Sequence, residues 1–156
     1  MSAERRLRDL NIVLPQVSAP AANYANAVRT GNLLFISGKA PVPHLGKYPH
    51  GKLGREFNVE DGYRMARSAA LDLIAVMRAE LGSLDHVARV VEVQGFINSI
   101  PEFEDHAKVL NGCSDLLVEV FAQRGVHARS VVGVNSLRNG LPVVVKAVVE
   151  VAERVT

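Results

Sequence analysis

The chain has a single cysteine, Cys113, among its 156 residues. One thiol closes no internal disulfide, so nothing in the sequence asks for an oxidising compartment. No apolar stretch approaches the roughly 20 residues that a membrane-spanning helix needs. The arginines near the start lead only to "NIVLP", where a proline cuts the apolar run well short of a signal-peptide core. We therefore expect a cytoplasmic protein with no membrane partner. An excess of one charge is also missing: 18 Lys and Arg face 16 Asp and Glu, a formal net charge of +2. There is no basic stripe interleaved with aromatics, so no nucleic-acid partner is expected. The densest basic spot, "ERRLRDL" at residues 4–10, mixes in acids and reads as a solvated terminal segment. Also absent are the phosphate loop GxxxxGK[ST], HExxH, CxxC and GxSxG. The histidines His44, His50, His86, His106 and His127 are scattered, whereas a metal site takes three or four convergent ligands. No metal site is expected.

What is present is a globular composition, 48% hydrophobic and 22% charged, of a length that suits one domain over residues 1–156. "VRTGNLLFISG" (28–38) reads as a hairpin turning at Thr30-Gly31-Asn32. The Pro-, Gly- and His-rich residues 39–57 read as an exposed loop. A helix is predicted from Asn58, with Asp61 completing a capping box and Gly82 as the stop. Along it Tyr63, Ala66, Ala70, Leu73, Ile74, Met77 and Leu81 recur at three-to-four spacing. "ARVVEVQGFIN" (88–98) reads as a strand. A second helix is predicted over about Pro101–Arg124, with Glu102, Glu104 and Asp105 in its first turn and Gly125 at its end. Strands at 129–137 and 143–151 follow, joined by a turn containing Asn139-Gly140.

The order β-β-α-β-α-β-β predicts an α+β fold: a mixed β-sheet with two helices packed on one face. In the last strand Val143, Val145, Ala147, Val149 and Val151 point one way and belong under the helices. Val144, Lys146, Val148 and Glu150 point the other way. That mixture is too apolar for open surface and too charged for a core, and it predicts oligomerisation through the bare sheet face.

Several residues are candidates for chemistry. Arg129 heads an apolar strand, and its guanidinium fork can hold a carboxylate with two parallel hydrogen bonds. An intersubunit salt bridge would explain it equally well. Tyr24 is an aromatic packed at a strand entry or a ligand contact. Ser37 and Gly38 end a strand, where glycine lets backbone approach a ligand or another chain. Cys113 falls on the apolar face of the second helix and reads as a core thiol.

Four segments, in order over about residues 15–152, resemble one family. "NYANAV" resembles the "YSQAV" segment of the RidA family (also called YjgF/YER057c/UK114), and "LLFISGKAP" resembles its "F-x-SGQ-x-P" strand and turn. "GFINSIPEF" is similar to its strand end and aromatic-containing turn. "HARSVVGVNSL" looks like its "ARS-x-V-x-V-x-x-L" signature. The insert at residues 43–56 resembles the longer-loop branch. The resemblance implies a chorismate-mutase-like fold and a homotrimer with ligand clefts between subunits. It implies hydrolysis of 2-imino or enamine acids to 2-keto acids and ammonia, with no metal or organic cofactor. Arg129 would grip the substrate carboxylate, and Tyr24, Ser37, Gly38 and Asn98 would line the cleft. The family's deaminases carry an "E-x-E-A" pattern in the last strand, and its glutamate would position water or handle a proton. Aligning Ala147 with the motif's alanine puts Val144 and Lys146 at the two acidic positions, and Glu92 is a weak stand-in. Two functions therefore stay open: an imine deaminase, and a non-catalytic trimer that binds small carboxylates.

Overall fold

The computed structural model describes residues 2–153. Its first element, α1 (Ala3–Asp9), corrects one expectation: the basic start is a packed helix, not a solvated tail. Ser2 caps it, accepting from the Arg5 N–H, and Ala3 and Leu7 are fully buried. Its polar face is committed as well. Glu4 pairs with Arg78 at 2.6 Å and accepts the Leu84 N–H at 2.9 Å, while Arg6 Nε donates to the Glu119 carbonyl at 2.8 Å. Charged residues that reach partners on other elements look, in sequence, the same as charged residues in water. Among the described residues the fold thus has three α-helices rather than the two expected.

The hairpin forms as β1 (Ala27–Thr30) and β2 (Leu33–Lys39), turning at Gly31-Asn32. Next comes α2 (Val59–Leu81), with the reciprocal Asn58/Asp61 capping box in place and Gly82 closing it in the left-handed region at φ 81°. After β3 (Val87–Asn98), α3 covers His106–Phe121, starting five residues later than predicted. The chain first makes a turn, in which the Phe103 N–H donates to the Ile100 carbonyl, and Asp105 takes the N-cap position. The acids that seemed to begin the helix therefore precede it. At the other end Ala122 has φ 54°, which stops the α-helix ahead of a 3₁₀ turn to Gly125. β4 (Ala128–Val134) and β5 (Val143–Val151) complete the chain.

The sheet order is β1-β2-β5-β3-β4; β3 and β4 run parallel and every other pair is antiparallel. The alternation in β5 comes out as expected: Val143, Val145, Ala147, Val149 and Val151 are buried and the intervening residues are half-exposed. α2 and α3 cross closely over this face. A Cβ built on Gly112 would lie 1.9 Å from the Tyr63 carbonyl oxygen, so only glycine lets the two backbones meet there. On the bare face Val28, Phe35 and Val132 are exposed beside Gln94 and Lys146. Among the described residues no helix is long and apolar enough to cross a membrane.

Candidate functional site

Arg129 lies near the start of β4, the strand at one edge of the sheet. Its parallel register partner is Val93, which is buried under the helices, so Arg129 also leans toward the helix side. Its fork is anchored on α3: Nη1 donates to Ser114 Oγ at 3.0 Å and Nη2 to the Ala107 carbonyl at 3.4 Å. Ser114 is held in turn by His127. The His127 Nδ1 lies 2.6 Å from the Gly125 carbonyl, which only accepts, so this nitrogen carries the proton. Nε2 is then the acceptor for the Ser114 hydroxyl at 2.9 Å, which leaves the oxygen's lone pairs for Arg129. Sequence reading missed both supporting residues. Among the described residues no carboxylate lies within 4.0 Å of Arg129. The result is an oriented, solvent-facing guanidinium with unspent donors.

A second group of candidates lies on the far side of the sheet. The Tyr24 hydroxyl accepts the Ala21 N–H at 3.2 Å, and its ring is half exposed. The Ser37 hydroxyl donates to the Ala25 carbonyl at 2.7 Å, tying the end of β2 to the segment before β1. Gly38 sits in the register break between Ile36 and Lys39. A Cβ there would come within 2.9 Å of Val144 Cγ1, so any larger residue would displace Val144. Tyr24 and Gly38 line a cavity of about 280 Å³ that also takes in Ser18, Lys39 and Asp72. Sequence reading missed these three as well. The one available signal was an aspartate inside the apolar helical run "AALDLIAVM".

The remaining candidates lie apart from both groups. Asn98 is 3% exposed, and its side chain works inside the fold. Its Nδ2 donates to the carbonyls of Leu141 (3.1 Å) and Gly51 (3.5 Å), and its Oδ1 accepts from Lys52 Nζ at 2.6 Å. Lys52 also donates to the Asn135 carbonyl. Glu92 is half-buried on the bare face beside Val148, opposite the face that Arg129 leans toward. Cys113 is fully buried, and burial pushes its thiol up to about 12. Among the described residues no three His, Cys, Asp or Glu side chains converge as metal ligands would.

Within one chain, then, Arg129 and the Tyr24–Gly38 group are separate. Three strand spacings divide β4 from β2, roughly 14 Å in the hydrogen-bonding direction. The long parallel β3–β4 crossover, the antiparallel hairpin and the ordered run of motifs describe a fold that the comparisons recognise. A family model described as "YjgF/chorismate_mutase-like, putative endoribonuclease" matches residues 4–149. The chain belongs to the YjgF/RidA family. Among relatives, Protein TCP17 of Trypanosoma cruzi is 43% identical over 145 residues, 92% of this chain and 91% of that protein. The structure of protein Atu1372 from Agrobacterium tumefaciens superposes with a TM-score of 0.87 at 37% identity, over 96% of this chain and 92% of that one. A structure from Shewanella oneidensis, titled a putative endoribonuclease, gives 0.91 at 31% identity, over 96% and 99%. The family match thus spans the sheet and helices nearly end to end, and residues 43–56 fall within its range.

Proposed function

We propose that the protein is a homotrimer whose intersubunit clefts bind small carboxylates and hydrolyse 2-imino or enamine acids to 2-keto acids and ammonia. One observation carries this reading: Arg129 is oriented by Ser114 and the Ala107 carbonyl, yet pairs with no carboxylate among the described residues. It stands on an edge strand, so a neighbouring copy can bring its own Tyr24, Ser37 and Gly38 up to it. The exposed Val28, Phe35 and Val132 of the bare sheet face favour such association. The guanidinium would take the carboxylate in a bidentate grip and leave the imine carbon facing the backbone at Gly38. Water adds to that carbon, a proton passes to nitrogen, and ammonia leaves as the carbonyl forms. No cofactor is required, because the substrate carbon is already electrophilic. Asn98 belongs to this proposal only through the shape of the cleft end, since its amide is engaged with Leu141, Gly51 and Lys52.

The second reading, a trimer that binds carboxylates without turnover, is favoured by Val144. This residue packs against Gly38 at the position of the family glutamate and moves no proton. General acid–base help is typically worth about 10²–10⁴-fold, so turnover here would rest on positioning. Glu92 stands on the opposite sheet face from its own chain's Arg129, so it would have to act on a cleft completed by a neighbour.

The test is a coupled assay in which an amino-acid oxidase generates 2-iminopropanoate and semicarbazide traps what escapes hydrolysis. Less semicarbazone with the wild type but not with Arg129→Ala supports the deaminase. If both proteins leave trapping unchanged, while pyruvate binds the wild type and not Arg129→Ala, the binding reading replaces it. Light scattering at other than three times 16.9 kDa would sink the trimer.

A further inference from the structure

The parallel unit β3–α3–β4 brings a serine and a histidine together at one end of the sheet. Parallel strands bind ligands outside their carboxyl ends, where the following helix begins. Ser99 directly follows β3, and His106 is the first residue of α3. Ser99 Oγ lies 3.5 Å from His106 Nε2, at the long end of hydrogen-bond reach, and such pairs are often longer without substrate than with it. In the tautomer with the proton on Nδ1, Nε2 accepts the Ser99 hydroxyl. Both residues are held in place. The Ser99 N–H donates to the Val134 carbonyl at 3.3 Å and the Ile100 N–H to the Leu53 carbonyl at 3.1 Å, which fixes the chain around the hydroxyl. The His106 ring meets the Phe103 ring edge-on, with centroids 5.2 Å apart.

The pair lines a cleft of about 370 Å³, a volume within the range of small-ligand sites, together with Ile100, Phe103, Gly133 and Val134. Ser99 is 8% exposed, so it opens to the cleft while screened from bulk water. Gly133 keeps the pair accessible. A Cβ there would fall against His106 Nε2 and 3.0 Å from Ser99 Oγ, so a side chain would collide with the histidine and cover the hydroxyl. Asp105 takes the N-cap of α3 without a side-chain hydrogen bond, which leaves the first N–H groups of the helix without a capping acceptor. Those donors and the positive helix end favour a developing oxyanion. Glu102, Glu104 and Asp105 stand next to an apolar lining, so the cleft suits a neutral substrate. We propose that Ser99 and His106 are a nucleophile–base pair that hydrolyses small neutral esters. Ser99 Oγ adds to the ester carbonyl carbon as its proton passes to His106 Nε2. The bond to the leaving oxygen breaks, that oxygen takes the proton, and an acyl-serine remains. Water then adds to the acyl carbon with His106 again as base, and the bond to Ser99 Oγ breaks to release the acid. Among the described residues no carboxylate pairs with His106, so the site lacks the third member of a triad and suits activated esters such as aryl esters. Gly133 lies four residues along β4 from Arg129, roughly 13 Å, and the site does not depend on the carboxylate cleft being correct.

The experiment treats the full chain with diisopropyl fluorophosphate and maps the label by mass spectrometry. A base-activated serine forms an Oγ–P bond with this reagent as the P–F bond breaks and fluoride leaves. The label should appear at Ser99. Ser99→Ala removes a single oxygen and should leave that peptide unlabelled. His106→Gln should slow labelling by at least about a hundredfold, the low end of what a general base supplies. Gly133→Ala, a second variant for the case that His106→Gln folds poorly, should slow it by a similar factor because its Cβ occupies the approach to the pair. The same variants should slow the release of 4-nitrophenolate from 4-nitrophenyl acetate. The proposal is overturned if Ser99 stays unlabelled, or if His106→Gln and Gly133→Ala both label as fast as the wild type. Ester hydrolysis that survives Ser99→Ala in full also overturns it. So does equally fast labelling of Ser99 in the urea-unfolded chain, since the folded geometry would then contribute nothing.

Discussion

Asn98→Ala separates a residue that holds the fold from one that holds a ligand. Asn98 stitches three segments together: the end of β3, the insert near Gly51 and Lys52, and the entry to β5 at Leu141. Its backbone joins the same seam, donating to the Pro142 carbonyl at 2.9 Å and accepting the Leu53 N–H at 2.8 Å. Truncation leaves those backbone bonds and removes the side-chain ones. The Lys52 ammonium loses a 2.6 Å acceptor, a charged hydrogen bond worth about 1.5–3 kcal/mol. The donor at 3.1 Å to Leu141 goes as well; Leu141 is buried, and stranding its carbonyl costs about 1–3 kcal/mol. The 3.5 Å contact to Gly51 adds little. Lys52 keeps the Asn135 carbonyl and can turn toward water, which trims the first figure. A net loss of about 3 kcal/mol follows, or a fall in Tm of roughly 10 °C for a chain of this length. The assay is thermal unfolding of wild type and variant at equal protomer concentration, since association couples to stability. A Tm within about 2 °C of wild type, by the same scaling, together with weakened pyruvate binding, would refute the reasoning. Asn98 would then be a ligand residue and the seam would be held by backbone alone.

Cys113 should be inert in the folded protein, because burial pushes its thiol up to about 12 despite the nearby Arg129. At pH 8 the thiolate fraction is then of order 10⁻⁴, and a disulfide reagent should react more than about a hundredfold faster in urea than in buffer. Equal rates would contradict the packing. Glu4 is held below the ordinary carboxylate value of 4.5, chiefly by its hydrogen bond to Arg78, with burial opposing and the Leu84 N–H helping. A lowered folded pKa gives stability that is present above the unfolded value and disappears as pH falls through the folded one. Glu4→Gln should therefore lower the urea midpoint at pH 7, and the difference should shrink as pH drops below about 4.5. A difference that does not change with pH would rule out the ion pair as its cause.

How much of this was legible in the sequence depended on the range of the signal. β5 was readable because its two faces alternate within nine residues, and the start of α2 because Asn58 and Asp61 cap each other locally. α1 was not, because Glu4 and Arg6 find their partners at Arg78, Leu84 and Glu119, far along the chain. The start of α3 was misplaced because Pro101 and the acids after it suit a turn as well as a first helical turn. Arg129 stood out as a cation at the head of a strand, but the Ser114 and His127 that aim it gave no sign of doing so. Asp72 was hidden differently: one acid within a helical stripe reads as an exposed position until Ser18 and Lys39 fold over it.

The same range argument bears on the site itself. Arg129, Tyr24 and Gly38 all sit in segments that resemble one family's motifs, yet the sheet order separates them by three strands. Local motifs reveal which residues matter, whereas strand order decides whether they meet. The parallel β3–β4 pair sends Arg129 to one edge, and the hairpin puts Tyr24 and Gly38 near the other. If these residues serve one ligand, a second copy must supply half of the site, and mixing inactive variants tests that directly. Arg129→Ala and a Gly38 variant bulky enough to displace Val144 should each fail alone. Mixed after unfolding and refolding together, they should regain part of the lost carboxylate binding, because some clefts receive both wild-type halves. No recovery in mixtures that have demonstrably exchanged subunits would mean that each chain binds its ligand by itself.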